Sequence, residues 1–153
     1  PLDAAPGTDG RLAIWRRFPV GPVACITPFN FPVNLVAHKV APAIAAGCGF
    51  VLKPASKTPL SALHLAAAML EAGAPAEAVS VLPMPGSEAG PLVEDARTRA
   101  GSFTGSPEVG WDIKRRAYRK KVVLELGGNA GVVVDRSADL DHAAARSVAS
   151  WER

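Results

Sequence analysis

With 153 residues, 48% hydrophobic and 20% charged, the chain has the composition of one globular domain able to bury a core. No apolar run approaches the length of a membrane span, no secretory signal pattern opens the chain, and a net charge of +3 is too small to mark a nucleic-acid binder. Cys25 and Cys48 fit neither a metal spacing nor a disulfide framework, so they read as reduced thiols in a cytoplasmic protein with no metal site.

The opening residues, Pro1 to Gly10, are rich in Pro, Gly and Asp and read as irregular. Arg11 to Val20 alternates, with Leu12, Ile14 and Phe18 on one side and Trp15 and Arg17 on the other. That pattern predicts a strand with one wet face. From Gly21 the texture changes to short apolar runs separated by helical stretches. The runs are Val23–Ile26, Gly49–Leu52, Ala78–Leu82, Ala100–Phe103 and Val122–Leu124, nearly all apolar, as in strands covered on both faces. Helices are predicted over Pro32–Gly47, Pro59–Gly73, Ser87–Asp95 and Pro107–Tyr118. Thr58 then Pro59 reads as an N-cap followed by a first-turn proline, Gly73 as a stop, and Leu60, Leu63, Ala67 and Leu70 as the buried stripe between them. Ser106 then Pro107 repeats the start signal. The basic run Lys114–Lys121 is expected to be a solvated helix end, its cations near the negative pole of the dipole. Gly131–Asp135 reads as a further short strand and Asp139–Ser150 as a final helix.

Strand and helix alternate, and crossovers of this length imply a doubly wound, mostly parallel five-stranded sheet with helices on both faces. Ligands of such sheets sit at the carboxyl ends of the strands. Four polar motifs fall there. Asn30 follows the first strand, where a loop amide can donate to developing negative charge on oxygen or simply satisfy a turn. Lys53 ends the second strand, placed to meet ribose hydroxyls or phosphate, or to reach solvent. Gly105-Ser106-Pro107 opens a helix whose amides can hold an anion, with Ser106 either at that anion or only capping the helix, and no G-x-G-x-x-G fingerprint is present. Glu125 ends an apolar run before Gly127-Gly128, placed to be a general base or a salt-bridged strand end. Residue chemistry by itself leaves each alternative open.

In order, the segments Thr27-Pro28-Phe29-Asn30-Phe31-Pro32, Lys53-Pro54-Ala55-Ser56-Lys57-Thr58-Pro59, Phe103 to Gly110, and Glu125-Leu126-Gly127-Gly128 resemble the coenzyme-binding domain of the aldehyde dehydrogenase superfamily. The resemblance covers about Arg11 to Ser150. It implies a Rossmann-like domain over residues 21–153, preceded over 1–20 by a linker and a short strand of an oligomerisation arm. It implies NADP or NAD as coenzyme, a small aldehyde as the parent's substrate, a homo-oligomer, and neither nucleic acid nor membrane as partner. By resemblance, Asn30 helps form the oxyanion hole and Glu125 is the base that hydrolyses the acyl-enzyme. Thr27, Pro28, Phe29, Lys53, Ser56, Gly105, Ser106, Leu126 and Gly127 would line the coenzyme site, with Lys53 at the adenosine ribose and Ser106 at the pyrophosphate. Many members carry Trp in place of Phe29, Thr in place of Pro107 and Lys in place of Asn129. Members that prefer NAD often have glutamate at the position of Ser56. A serine there neither repels a 2′-phosphate nor lacks a donor for it, so NADP is expected to be accepted, with Lys53 or Lys57 assisting.

The family's nucleophilic cysteine lies a few dozen residues beyond the matching glutamate, outside this chain. Neither Cys25, inside a strand, nor Cys48, at a helix-to-strand turn, matches it, and both read as small buried residues. His38, His64 and His142 show no partner pattern. Trp151-Glu152-Arg153 departs from the family's expected continuation. The chain by itself is therefore expected to bind dinucleotide weakly and not to turn over aldehyde. The local sequence looks closest to members acting on lactaldehyde or glyceraldehyde phosphate. The rivals are a non-catalytic nucleotide-binding or assembly module of the same fold, and a CoA-acylating semialdehyde dehydrogenase, against which Glu125 weighs. The resemblance requires Asn30, Lys53, Ser106 and Glu125 to share one rim.

Overall fold

In a computed structural model, which describes residues 5–128 and 130–151, the apolar runs form five parallel strands: β1 (Val23–Ile26), β2 (Phe50–Lys53), β3 (Val79–Val81), β4 (Ala100–Gly105) and β5 (Lys121–Leu126). Their order is β3-β2-β1-β4-β5. Each short run punctuated by Gly or Pro finds its ladder in register: Val23 sits level with Phe50 and with Ala100, and Gly105 level with Leu126. The chain builds outward from β1 to β3 on one side, then returns to place β4 on the other. β1 is therefore the strand at which the winding reverses.

Helices α1 (Asn34–Ala45) and α2 (Pro59–Glu71) cover one face, where Val36, Val40, Ala43 and Ala62 pack with Cys25, Phe50 and Leu52. Helices α3 (Gly90–Glu94) and α4 (Pro107–Arg116) cover the other, where Val93, Ile113 and Ala117 pack with Ile26 and Phe103. Adjacent residues Cys25 and Ile26 thus enter different cores, as a strand buried on both faces requires. Helix signals hold at several ends. Gly73 stops α2 at φ +94, its amide donating to the Leu70 carbonyl, and Ser106 caps α4 by accepting from the Val109 amide at 3.4 Å. Thr58 occupies the N-cap of α2 without a side-chain bond, so Pro59 alone marks the start. The last turn of α4 carries Lys114, Arg115 and Arg116, as expected of a helix end.

Five expectations need correction. Residues 11–20 form no strand: all ten are exposed, so neither face is dry, and alternation cannot make a ladder without a partner. Gly131–Asp135 forms none either, and Val133 is 96% exposed. The stripe on α2 is turned. Ala62 and Ala66 are buried and Leu65 and Met69 pack on the core, whereas Leu60, Leu63, Ala67 and Leu70 face out. That helix is apolar nearly all round, so spacing alone fits two faces. The stretch 87–95 divides into a 3₁₀ turn at Gly86–Glu88 and the five residues of α3, because Pro91 cannot continue a helix and instead opens one. Finally, β5 is covered on one face only: Val122, Leu124 and Leu126 pack inward, while Lys121, Val123 and Glu125 are exposed. Helix α5 (Leu140–Trp151) is exposed along almost its whole described length. Asn129 and residues 152–153 lie outside the described residues.

The two readings of α2 predict different stabilities. Leu52→Ala, under α1 and α2 at 1% exposure, should cost about 2–5 kcal/mol in urea unfolding. Leu60→Ala, at 66% exposure, should change it by no more than about 0.5 kcal/mol.

Candidate functional site

Register carries the four motifs to one level. Ile26 pairs with Lys53 and with Phe103, and Thr104 with Glu125, so the chain leaves β1, β2, β4 and β5 along a single rim. Two adjoining clefts open there and share Pro28, Thr104 and Gly105. The larger, of 630 Å³, runs between α3 and α4 and receives Thr27, Phe29, Lys53, Ser56 and Ser106. The smaller, of 480 Å³, receives Asn30, Glu125, Leu126 and Gly127, with His38 also in its wall. The structure thus brings together all eleven residues singled out from the sequence.

In the larger cleft, Lys53 is 6% exposed and has no hydrogen-bond partner among the described residues. Burial pushes its ammonium below the ordinary value of 10.5. The stem is packed away while the ammonium opens to the cleft without a protein acceptor, which leaves its donors ready for hydroxyls or phosphate. Thr27 is 5% exposed, and its hydroxyl oxygen also lacks a partner. Ser56 donates to the Met84 carbonyl at 3.2 Å, tying the loop after β2 to the loop after β3, so that bond must break before Ser56 can donate to a ligand. The Lys57 ammonium stands 4.9 Å from the centroid of the Phe29 ring. At the opening of α4, Ser106 caps the helix by accepting from the Val109 amide, and Ser106, Glu108 and Val109 of this first turn line the cleft.

The smaller cleft holds a hydrogen-bonded chain that motif reading missed. Lys39, on α1, is 6% exposed and donates to Thr104 Oγ1 at 2.7 Å and to Ser102 Oγ at 3.3 Å. Thr104 in turn donates to Glu125 Oε2 at 2.9 Å. One hydroxyl has one proton and two lone pairs, so accepting from the ammonium directs its proton to the carboxylate. Burial lowers the Lys39 ammonium, and the fields of Cys25 and Glu125 oppose that shift. The available signal was a lysine inside the buried stripe Leu35, Val36, Val40, Ala43, where a charge stays only with partners. Asn30 and Glu125 are both exposed at this cleft, within reach of solvent or substrate.

Neither thiol is equipped as a nucleophile. Cys25 is fully buried and Cys48 is 4% exposed. Burial pushes the Cys25 thiol up to about 12, with Lys39 pulling weakly the other way. Among the described residues, no group of three His, Cys, Asp or Glu side chains is placed to hold a metal ion, and no helix is long and apolar enough to cross a membrane.

The model of the aldehyde dehydrogenase family matches residues 2–151. The chain belongs to the aldehyde dehydrogenase family. Among its relatives, the 3-sulfolactaldehyde dehydrogenase of Priestia aryabhattai is 50% identical over 145 residues, covering 94% of this chain and 30% of that protein. The NADP(+) succinate-semialdehyde dehydrogenase GabD of Escherichia coli (strain K12) is 44% identical over 153 residues, covering 97% and 32%. The crystal structure of aldehyde dehydrogenase 21 from Physcomitrella patens, in complex with the reaction product succinate, superposes with a TM-score of 0.82 at 49% identity, covering 95% of this chain and 31% of that one. The chain thus spans about a third of the length of these relatives, and its five parallel strands and flanking helices are the Rossmann-like fold of the family.

Burial of Cys25 has a measurable sign. The unfolded thiol gives up its proton near 9.0 while the folded one holds it to about 12, so this group's contribution to stability falls as pH rises across that window. At pH 9.0, Cys25 should resist a colorimetric disulfide reagent in the folded protein and react at once after addition of denaturant.

Proposed function

We propose that the chain is the coenzyme-binding portion of an NAD(P)-dependent aldehyde dehydrogenase, with residues 21–153 forming the dinucleotide-binding domain and 1–20 a linker and subunit-contact arm. The parent oxidises an aldehyde to a carboxylic acid through a thioester on a cysteine outside this chain. One observation carries the reading: Asn30, Lys53, Ser106 and Glu125, distant in sequence, meet on one rim at the strand where the winding reverses.

The residues present fit a dinucleotide. The larger cleft offers the Lys53 ammonium, which has no acceptor among the described residues, an orphan hydroxyl at Thr27 and the opening of a ten-residue helix. Lys53 and Ser56 hold the adenosine ribose, Thr27, Pro28 and Phe29 form the wall beneath it, and Ser106 with the α4 amides holds the pyrophosphate. Gly105, Leu126 and Gly127 leave room for the nicotinamide between the two clefts. The coenzyme, when bound, supplies the hydride acceptor. Asn30 donates to the substrate oxygen as charge grows on it, and Glu125 takes a proton from the water that releases the acid. Lys39 and Thr104 aim the Glu125 carboxylate.

The coenzyme is NADP as well as NAD: Ser56 puts no carboxylate at the ribose, and Lys53 and Lys57 put positive charge near it. Succinate-semialdehyde and sulfolactaldehyde among the relatives' substrates support a short polar or anionic aldehyde. A cytoplasmic homo-oligomer agrees with the exposed Leu12, Ile14, Trp15 and Phe18 of the arm.

Calorimetric titration tests the reading. The chain should bind NADP and NAD, and Lys53→Ala should weaken both by about tenfold, a change of roughly 1.4 kcal/mol. Absence of any binding favours a scaffold of the same fold. Ser56→Glu should weaken NADP by about tenfold or more while sparing NAD. Sustained production of reduced coenzyme from an aldehyde by this chain would refute the placement of the nucleophile elsewhere.

A further inference from the structure

The wall of the larger cleft depends on a helix that cannot stand unaided. α3 has five residues, too few to persist by its own hydrogen bonds. Cations from α4 and from the start of β5 tie it down. Arg116 Nε donates to Glu94 Oε1 at 2.6 Å, and its Nη1 reaches Asp112 Oδ2 at 3.4 Å, one turn back on α4. The guanidinium also lies across the start of α3: a Cβ on Gly90 would stand 1.9 Å from Nη2, so a side chain there would displace the guanidinium. Lys120 closes the other end. Its ammonium donates to the carbonyls of Val93 and Asp95, both at 2.6 Å, and to Thr98 Oγ1 at 3.0 Å, which uses all three of its protons.

Arg116 is more than a strut between helices, because it also lines the cleft. Val109, Asp112, Ile113 and Arg116 recur at helical spacing and form one wall, opposite Gly90 and Val93. Ser106, at the opening of α4, lies ten residues from Arg116, about 15 Å along the axis. A ligand whose phosphates sit on the helix opening and whose ribose meets Lys53 extends its base toward the gap between α3 and α4.

We infer that Arg116 is a positioning residue for the coenzyme: by bridging Glu94 and Asp112 it fixes the width of the slot that receives the purine end. The inference rests on the dinucleotide reading of the cleft. A planar fork suits the task, since its donors leave a rigid plane in fixed directions and hold Glu94 and Asp112 at a set separation, whereas an ammonium on a flexible stem fixes no such geometry. The tie is half exposed and therefore sensitive to salt, with a modest effect on overall stability.

Chemical-shift titrations of the chain with NADP, AMP and inorganic pyrophosphate provide the test. Arg116→Met should weaken NADP and AMP alike, by roughly threefold to tenfold, and leave pyrophosphate binding at the α4 opening unchanged. Glu94→Gln should reproduce the loss, and the double variant should lose no more than either single one. Arg116→Lys should recover only part. Glu94→Gln carries the test if Arg116→Met proves unfolded by circular dichroism. Wild-type affinity for NADP and AMP in the variants overturns the inference and leaves the dinucleotide reading standing. Equal weakening of pyrophosphate overturns it as well, since the change would then be general. Failure of the unsubstituted chain to bind any of the three overturns both.

Discussion

Everything at the rim follows from the double pairing of β1. Its four residues carry parallel ladders to β2 on one side and β4 on the other, while the connections that follow β1 and β4 cover opposite faces. Helices that diverge in this way cannot close over the strand ends between them, and a crevice remains. The crevice needs no special sequence of its own. It is what two oppositely wound halves leave behind, and the polar residues need only stand at strand termini to enter it. Val23–Ile26 is apolar throughout because both of its faces are core. The first residue free to be polar is therefore the first one past the ladder, at Thr27.

Charge in the two clefts is organised by burial. Lys53 and Lys39 are equally covered as whole residues, yet they differ in company, and the Lys53 ammonium opens to its cleft. Lys39 has two hydroxyls and, through one of them, a carboxylate, whereas Lys53 has no such partner among the described residues. A satisfied buried cation organises its neighbours, and one that opens to a cleft without a protein acceptor is disposed to meet a ligand. The same contrast separates the roles proposed for the two clefts, one directing a carboxylate and the other receiving a dinucleotide.

The strands were legible because each buried run is short, almost free of polar residues and bounded by Gly or Pro. The gathering of the candidate residues on one rim was legible because parallel strands deliver their ends to one side whatever the details of packing. What escaped the sequence has physical causes. An alternating segment such as 11–20 states a preference but names no partner, and a ladder is a property of two segments. α2 carries Leu and Ala on nearly every side, so its buried stripe is decided by which residues fit against the sheet, and small Ala62 and Ala66 fit closest. Lys39 was hidden by its surroundings: a lone basic residue within an apolar helix resembles an interruption until Ser102 and Thr104, some sixty residues away, are seen beside it.

One consequence attaches to β5. Its uncovered side carries Val123 and, two residues on, Glu125, pointing the same way by the pleat of the strand. A body that shelters the valine from water must also roof the acid. Drying the strand and enclosing the carboxylate are then a single event, and the hydrophobic gain of the first helps to offset the desolvation of the second.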